Sequence, residues 1–409
     1  MLASYNDKKS FLKKQIIKHL FFSGELTCSE LSELIDRSLP LTTQYITELL
    51  EDGSVTEKGF ALSTGGRRPQ VYELNSRGFY VLSVAMDQLV TRIALINEHN
   101  EIVNDVEKHD LPLANNPRAA DHLAELLFGF IQKQRLPEKQ IIAAGIGMPG
   151  FIDSRKGINY SFLHIEGGIA EMLQNKLGIP VLIDNDSSLI ALAELKWGAA
   201  RNKQNVMVIN IGWGVGLGII ANGALFRGQE GFAGEFSHIP LFENQKLCSC
   251  GKYGCLETET SMKVVVEKAI SRRENTPTLL GKISGDNVEA AAKEIIEAIR
   301  KGDKFSIEVL SESAYNIGRG VAILIHLLNP QLVVISGIGS LAGKAWIAPI
   351  QQAINEHCIP KIAENTEIEI STLGYDAELI GAAALVMENY EHLNKSKNTS
   401  RQKRRSTRI

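Results

Sequence analysis

A chain of 409 residues is too long for one hydrophobic core and calls for two or three domains. Its 44% hydrophobic and 22% charged residues exclude a disordered or fibrous protein, and a net charge of −3 selects no partner. No apolar run reaches membrane-span length and the N-terminus lacks a signal peptide's apolar core, so the expectation is a cytoplasmic protein without a membrane partner.

Residues 8–22 carry Phe11, Leu12, Ile16, Ile17, Leu20 and Phe21 at helical spacing. Gly24 and Glu25 end that helix. Thr27, with Glu30 three residues on, makes a capping box for a second short helix bearing Leu31, Leu34 and Ile35. A third helix is expected over roughly residues 41–51, with Ile46, Leu49 and Leu50 inward and Thr42, Thr43, Gln44 and Thr47 outward. Those outward side chains are short, polar and able to hydrogen-bond base edges or phosphates. Two β-like runs, 55–62 and 71–74, then flank Thr64-Gly65-Gly66-Arg67-Arg68-Pro69. Three helices and a hairpin follow the order of a winged helix-turn-helix, whose last helix enters the major groove. Two arginines on a glycine-rich tip suit a narrow, electronegative minor groove. A helical oligomerisation module would explain the helices but not the paired arginines. Residues 1–78 are therefore read as a DNA-binding domain using Thr42, Thr43, Gln44, Thr47, Arg67 and Arg68.

From Tyr80 strands alternate with helices. A helix over 119–134 precedes the strand IIAAGIGMPG, and the strand PVLIDND ends in Asp184-Asn185-Asp186 and runs straight into another helix. A glycine-laden hairpin (NVMVINIGWGVGLGIIANGALFRG) follows. Near the C-terminus a helix over 315–329, the strand LVVISGIGS and a last helix over 377–390 complete the pattern. This is the texture of α/β lobes with a cleft between them. Taken alone, Asp184 reads as a surface carboxylate. The final segment, KSKNTSRQKRRSTRI, has only basic charges and no apolar periodicity, so residues 391–409 are expected to form a disordered basic tail.

His238, Cys248, Cys250 and Cys255 fall within one short stretch, HIPLFENQKLCSCGKYGCLE, while the other two cysteines, Cys28 and Cys358, lie far away. One imidazole and three thiolates are the tetrahedral donor set of a structural zinc, and Gly251 and Gly254 let the chain turn back around an ion. Glu235 and Glu257 flank the cluster. Few cysteines, mostly spent on a metal motif, fit a reducing compartment.

These residues carry a resemblance. Gly234-Glu235-Phe236-Ser237-His238 followed by C-x-C-G-x-x-G-C-x-E, with Asn185-Asp186 upstream and an arginine-winged N-terminus, resembles the ROK family of repressors, open reading frames and kinases from about residue 8 to 390. The resemblance implies an actin-like, ribonuclease-H-like α/β fold over residues 79–390: lobe 1 about 79–190 plus 376–390, lobe 2 about 191–375. It implies that Glu235, His238 and Glu257 contact sugar hydroxyls. It also implies that Asn185 and Asp186 face the hydroxyl that kinases of the family phosphorylate, Asp186 being the general base if this chain were one.

Phosphoryl transfer needs a cradle of backbone N–H groups around ATP. Where the family carries D-x-G-G-T, this chain offers Ala85-Met86-Asp87-Gln88-Leu89, and where it carries G-T-G there is Gly212-Trp213-Gly214. Side chains replace both glycines of the first turn and an indole replaces the hydroxyl of the second, so no use of ATP is expected. Gly337-Ile338-Gly339 persists, but a glycine-rich loop alone is weak support. The family's sugar-facing asparagine gives way to Phe162, with His164 and Glu166 as candidate substitutes in an unusual sugar site. The expectation is a sugar-responsive DNA-binding regulator that represses carbohydrate uptake or catabolism genes, is relieved by sugar, and works as a homodimer or homotetramer on operator DNA. The alternative is an ATP-dependent sugar kinase with an appended head.

Overall fold

The computed structural model describes residues 5–61, 68–76, 78–134, 136, 140–274 and 276–393. Arg67 and the basic tail beyond residue 393 lie outside the described residues, whereas Arg68 is exposed.

The head holds three helices, Tyr5–Ser23, Cys28–Leu34 and Leu39–Glu51, and the wing strands Val55–Phe60 and Gln70–Leu74. The capping box forms: Glu30 N donates to Thr27 Oγ1 at 3.3 Å and Thr27 N to Glu30 Oε2 at 2.7 Å. A cap of this kind stabilises a short helix by about 1 kcal/mol. The third helix starts at Leu39 because Pro40 sits in its first turn, where a missing N–H costs nothing. Glu25–Thr27 adds a strand that sequence patterning did not disclose, pairing antiparallel with the second wing strand.

Thr42 must be withdrawn from the candidate DNA contacts. It is 0% exposed, and its Oγ1 donates to Ser38 O at 3.1 Å. With Tyr45, Ile46 and Leu49 it forms the buried i, i+3, i+4, i+7 face of the helix. Thr43, Gln44 and Thr47 remain on the exposed face.

Two five-stranded sheets follow, and they share one topology. In the first, Tyr80–Met86, Val90–Asn97 and Glu107–Asp110 form an antiparallel meander, and Ile141–Met148 and Val181–Asn185 add in parallel on the other side. In the second, Val206–Ile211, Val215–Ala221 and Ala224–Phe226 make the meander, with Leu332–Ser336 and Glu367–Ile370 parallel beyond it. Each lobe therefore carries strand order 3-2-1-4-5, a duplicated unit. In each lobe a helix follows the fifth strand: Asp186–Trp197 directly, and Ala377–Glu388 after a short 3-10 turn. These two helices pack on each other between the sheets, so the chain crosses from lobe to lobe through a shared rod pair. The first helix runs unbroken through the expected lobe boundary at 190/191. The helix expected near 315 begins at Lys304 and, with neighbouring helices, buries the outer face of the second sheet.

The head is not tethered by a loose linker. Leu12, Ile16, Leu20 and Phe21 share one apolar core with Val81, Ala94, Ala383 and Val386 of the main body. Phe21 and Phe22 meet Trp197, with ring centroids 5.7 and 5.5 Å away. Lys18 Nζ donates to Glu388 O at 2.8 Å and to Glu391 Oε1 at 3.0 Å.

Candidate functional site

The duplicated topology places the tips of the two equivalent first hairpins, Asp87–Leu89 and Gly212–Gly214, at the same cleft. That cleft is a cavity of about 480 Å³ between the lobes. Its two tips are joined: Trp213 Nε1 donates to Asp87 Oδ2 at 3.0 Å. The other oxygen of Asp87 accepts from Leu89 N and Val90 N, both at 2.7 Å. Burial pushes the Asp87 carboxyl above its usual range, opposed by these three donors. Trp213 is 8% exposed, so its indole fills the space between the tips.

The residues expected to face a sugar come from three elements. Asn185 caps the helix that begins at Asp186, its Oδ1 accepting from Ser187 N at 3.0 Å and Ser188 N at 3.2 Å while its Nδ2 donates to Gly150 O at 3.2 Å. Its amide oxygen is thus committed to holding the turn. Asp186 turns into the cavity, accepting from Ser187 N at 2.6 Å through Oδ1 and from Asn210 Nδ2 at 3.4 Å through Oδ2. Burial and the nearby charges of Asp87 and Glu235 outweigh the Ser187 hydrogen bonds and raise its pKa to about 6. Glu378 lies behind it, accepting from Met86 N at 3.0 Å, and burial holds its carboxyl well above the ordinary range.

His238, Cys248, Cys250 and Cys255 come together with all four ligand atoms within 4.8 Å of one another, an arrangement that could hold a metal. His238 Nδ1 faces Cys248 Sγ at 3.5 Å and Cys250 Sγ faces Cys255 Sγ at 3.6 Å. A tetrahedron with Zn–S bonds of about 2.3 Å has edges near ~3.8 Å, so the donor set fits that ion. The loop depends on Gly254: its φ is +73° and a Cβ there would stand 2.0 Å from Phe242 O. With Nδ1 turned to the cluster, His238 Nε2 points toward Glu235 Oε2 at 3.6 Å. Ligation at Nδ1 leaves Nε2 as a fixed hydrogen donor. Glu257 reaches the second hairpin, its Oε2 accepting from Val215 N at 3.3 Å.

Asn185, Asp186, Glu235, His238 and Glu257 all line the one cavity. Phe151, Tyr160 and Phe232 form an aromatic rim, Phe232 meeting the other two at 5.8 and 6.2 Å between centroids. Phe162 also lines it, but His164 and Glu166 do not; both are exposed, His164 beside Tyr160. Asp184 is not a surface carboxylate. It is buried, and both Arg227 Nε and Nη2 donate to its Oδ2 at 2.9 and 2.8 Å. Because Arg227 is partly exposed, breaking the pair would cost about 2 kcal/mol. Sequence reading also missed Arg92, Asn210, Tyr375 and Glu378 in this wall. An acid in the first turn of a helix, as Glu378 is, ordinarily signals only compensation of the helix dipole.

The ROK family model matches residues 82–389. The chain belongs to the ROK family. It is 29% identical to the xylose repressor of Caldicellulosiruptor bescii over 93% of its own length and 96% of that protein. It is 32% identical to a glucokinase of Halalkalibacterium halodurans over 75% of its length and 95% of the glucokinase. A solved ROK family transcriptional regulator, described as a homologue of the E. coli MLC protein, superposes with a TM-score of 0.76 at 25% identity, covering 95% of this chain and 98% of that one. The two regulators match through the head of this chain. The glucokinase is matched nearly whole by three quarters of it.

Proposed function

We propose that this ROK protein is a sugar-responsive DNA-binding regulator that represses carbohydrate uptake or catabolism genes, and that it transfers no phosphate. The observation that carries this reading is the rod pair. Each of the two helices begins at the sugar cavity, at Asp186 and beside Glu378, and ends under the head, at Trp197 and Glu388. A sugar bridging the lobes favours the closed state. Any rotation of the lobes moves the far ends of these helices against Phe21, Phe22 and Lys18 and so tilts the third head helix. A symmetric pair of heads reads a pseudo-palindrome only in register, so a homodimer, or a homotetramer built from it, converts that tilt into release. The sugar shifts the balance only by its preference for one state: a hundredfold change in operator affinity requires about 2.7 kcal/mol.

His238, Cys248, Cys250 and Cys255 would hold a structural zinc, which stiffens the loop that presents Glu235 and Glu257. Sugar hydroxyls donate to Asp186, Glu235 and Glu257, and His238 Nε2–H donates back. Trp213 and Asp87 support the absence of ATP chemistry by occupying the ground between the two hairpin tips. The retained Gly337 has a packing reason of its own, since a Cβ there would lie 2.2 Å from Asn210 Oδ1.

The test is selection of DNA by the purified full chain, followed by competition with a sugar panel. Absence of any sequence preference near its own gene sinks the reading. The kinase alternative is favoured by one feature, the retained Asp186 in a setting that raises its pKa to about 6. Sugar-dependent ADP release that disappears in Asp186→Asn would establish it.

Two outcomes follow. Replacing Arg67 and Arg68 by alanine should weaken operator binding about 10- to 100-fold and reduce the slope of log affinity against log salt by roughly two, with sugar affinity unchanged by calorimetry. Sugar affinity should also depend on pH. A hydroxyl donating to the Asp186 carboxylate favours the ionised form and lowers its pKa from about 6, so binding releases a proton. Affinity therefore rises as pH increases through 6 and falls below it. Titrations between pH 5 and 8 should show this slope in the native chain and a flatter profile in Asp186→Asn.

A further inference from the structure

The charge class of the effector can be read from the cavity wall, given that the cavity is the sugar site. We infer that the effector is a sugar carrying no anionic group, and that sugars phosphorylated at the terminal hydroxyl, and sugar acids, are excluded. Among the described lining residues stand five carboxylates, of Asp87, Asp186, Glu235, Glu257 and Glu378, against a single guanidinium, Arg92, apart from the cluster histidine. Among the described residues no lysine lines the cavity. Arg92 is already committed: it is 5% exposed, its Nη1 lies 3.3 Å from Asp376 Oδ1, its Nη2 lies 3.9 Å from Glu378 Oε2, and it stacks 3.5 Å above the Tyr375 ring.

Backbone donors, the usual alternative for an anion, are committed as well at three places in the wall. At the first hairpin tip Leu89 N and Val90 N give their hydrogens to Asp87. At the second, Gly212 N donates to Gly214 O at 2.9 Å and Val215 N to Glu257. At the start of the helix Asp186–Trp197, Ser187 N and Ser188 N are taken by the side chains of Asn185 and Asp186. A helix N-terminus and two tight turns, each able in principle to cradle an anion, have all been closed by carboxylates or amides of this chain. What remains facing the cavity, among its charged side chains, is an excess of acids. That inventory matches a polyol, whose hydroxyls can donate, and opposes a phosphate, which brings a charge of about −1.5 to −2 and only accepts.

Calorimetry on the full, metal-loaded chain with matched pairs tests this: D-glucose against glucose 6-phosphate, D-mannose against mannose 6-phosphate, N-acetylglucosamine against its 6-phosphate. The free member of the binding pair should be at least about 100-fold tighter. A phosphate that binds as tightly as, or more tightly than, its parent sugar overturns the inference while leaving the sugar site intact. Silence from every pair, and from D-xylose and xylose 5-phosphate run alongside them, overturns the sugar-site reading itself. In Asp87→Asn, and separately in Asp87→Gly combined with Trp213→Thr, the ratio should drop by about tenfold as charge and indole are removed. A ratio unmoved in both variants, each shown by circular dichroism to be folded, would place the discrimination elsewhere and reject the role given to this wall.

Discussion

Cys255→Ser should lose its bound metal and, with it, most of the response to sugar. Cys255 is fully buried, and its strand bridge to Pro240 ties together the two arms that meet at the cluster. Leu256, packed in the core of the second lobe, and Glu257, which lines the cavity, follow immediately. Losing one ligand therefore frees Glu257 and releases His238 from the tautomer that makes Nε2 a donor. Shells that orient functional side chains around a metal are worth about 10- to 100-fold in affinity or activity, and a sugar affinity lowered by that factor is the expected result. The measurement pairs elemental analysis for zinc with calorimetry of the sugar. Cys250→Ser, at an exposed position, supplies the same loss of a ligand with less disturbance of packing. A chain stripped of metal that binds sugar as before would leave the cluster without the part assigned to it.

What could be read from the sequence depended on whether the signal was local. The Thr27–Glu30 box, the Gly254 turn and the Cys/His spacing are each set within one short stretch of chain, and each is found as expected. Thr42 was misplaced because a threonine can turn its methyl inward and satisfy its hydroxyl on the backbone, which composition does not reveal. Asp184 looked like a surface acid because its partner, Arg227, lies 43 positions away. The Asp87–Trp213 bond spans 126 positions, and neither residue alone announces the other. Asp87 is a structural acceptor that closes its own turn and ties the opposite tip to it through the Trp213 indole. The doubled strand order became visible only once pairing was known, since the two lobes share no obvious run of sequence.

Trp197→Leu should separate sensing from release. The helix from Asp186 to Trp197 has 12 residues and so spans about 18 Å, from the cavity to the underside of the head. Its last residue is gripped edge-on by Phe21, with ring planes at 80°, and is flanked by Phe22. Lys196 next to it lies 4.5 Å over the Phe22 ring and pairs with Glu388 at 3.0 Å, tying the two rods together where they reach the head. Leucine retains an apolar contact but loses the flat surfaces through which a rotation of the helix becomes a displacement of the head. Coupling between two sites in one protein is commonly worth 5- to 150-fold, or about 1–3 kcal/mol. The native chain should lie within that range, its operator affinity falling when saturated with sugar. In Trp197→Leu that sugar-dependent change should shrink to about threefold or less, while calorimetry of the sugar alone stays within about twofold of the native value. Linkage requires the converse as well: operator DNA should weaken sugar binding in the native chain by the same factor, and cease to do so in the variant. A variant whose operator is still released in full by sugar would show that the signal bypasses the rods.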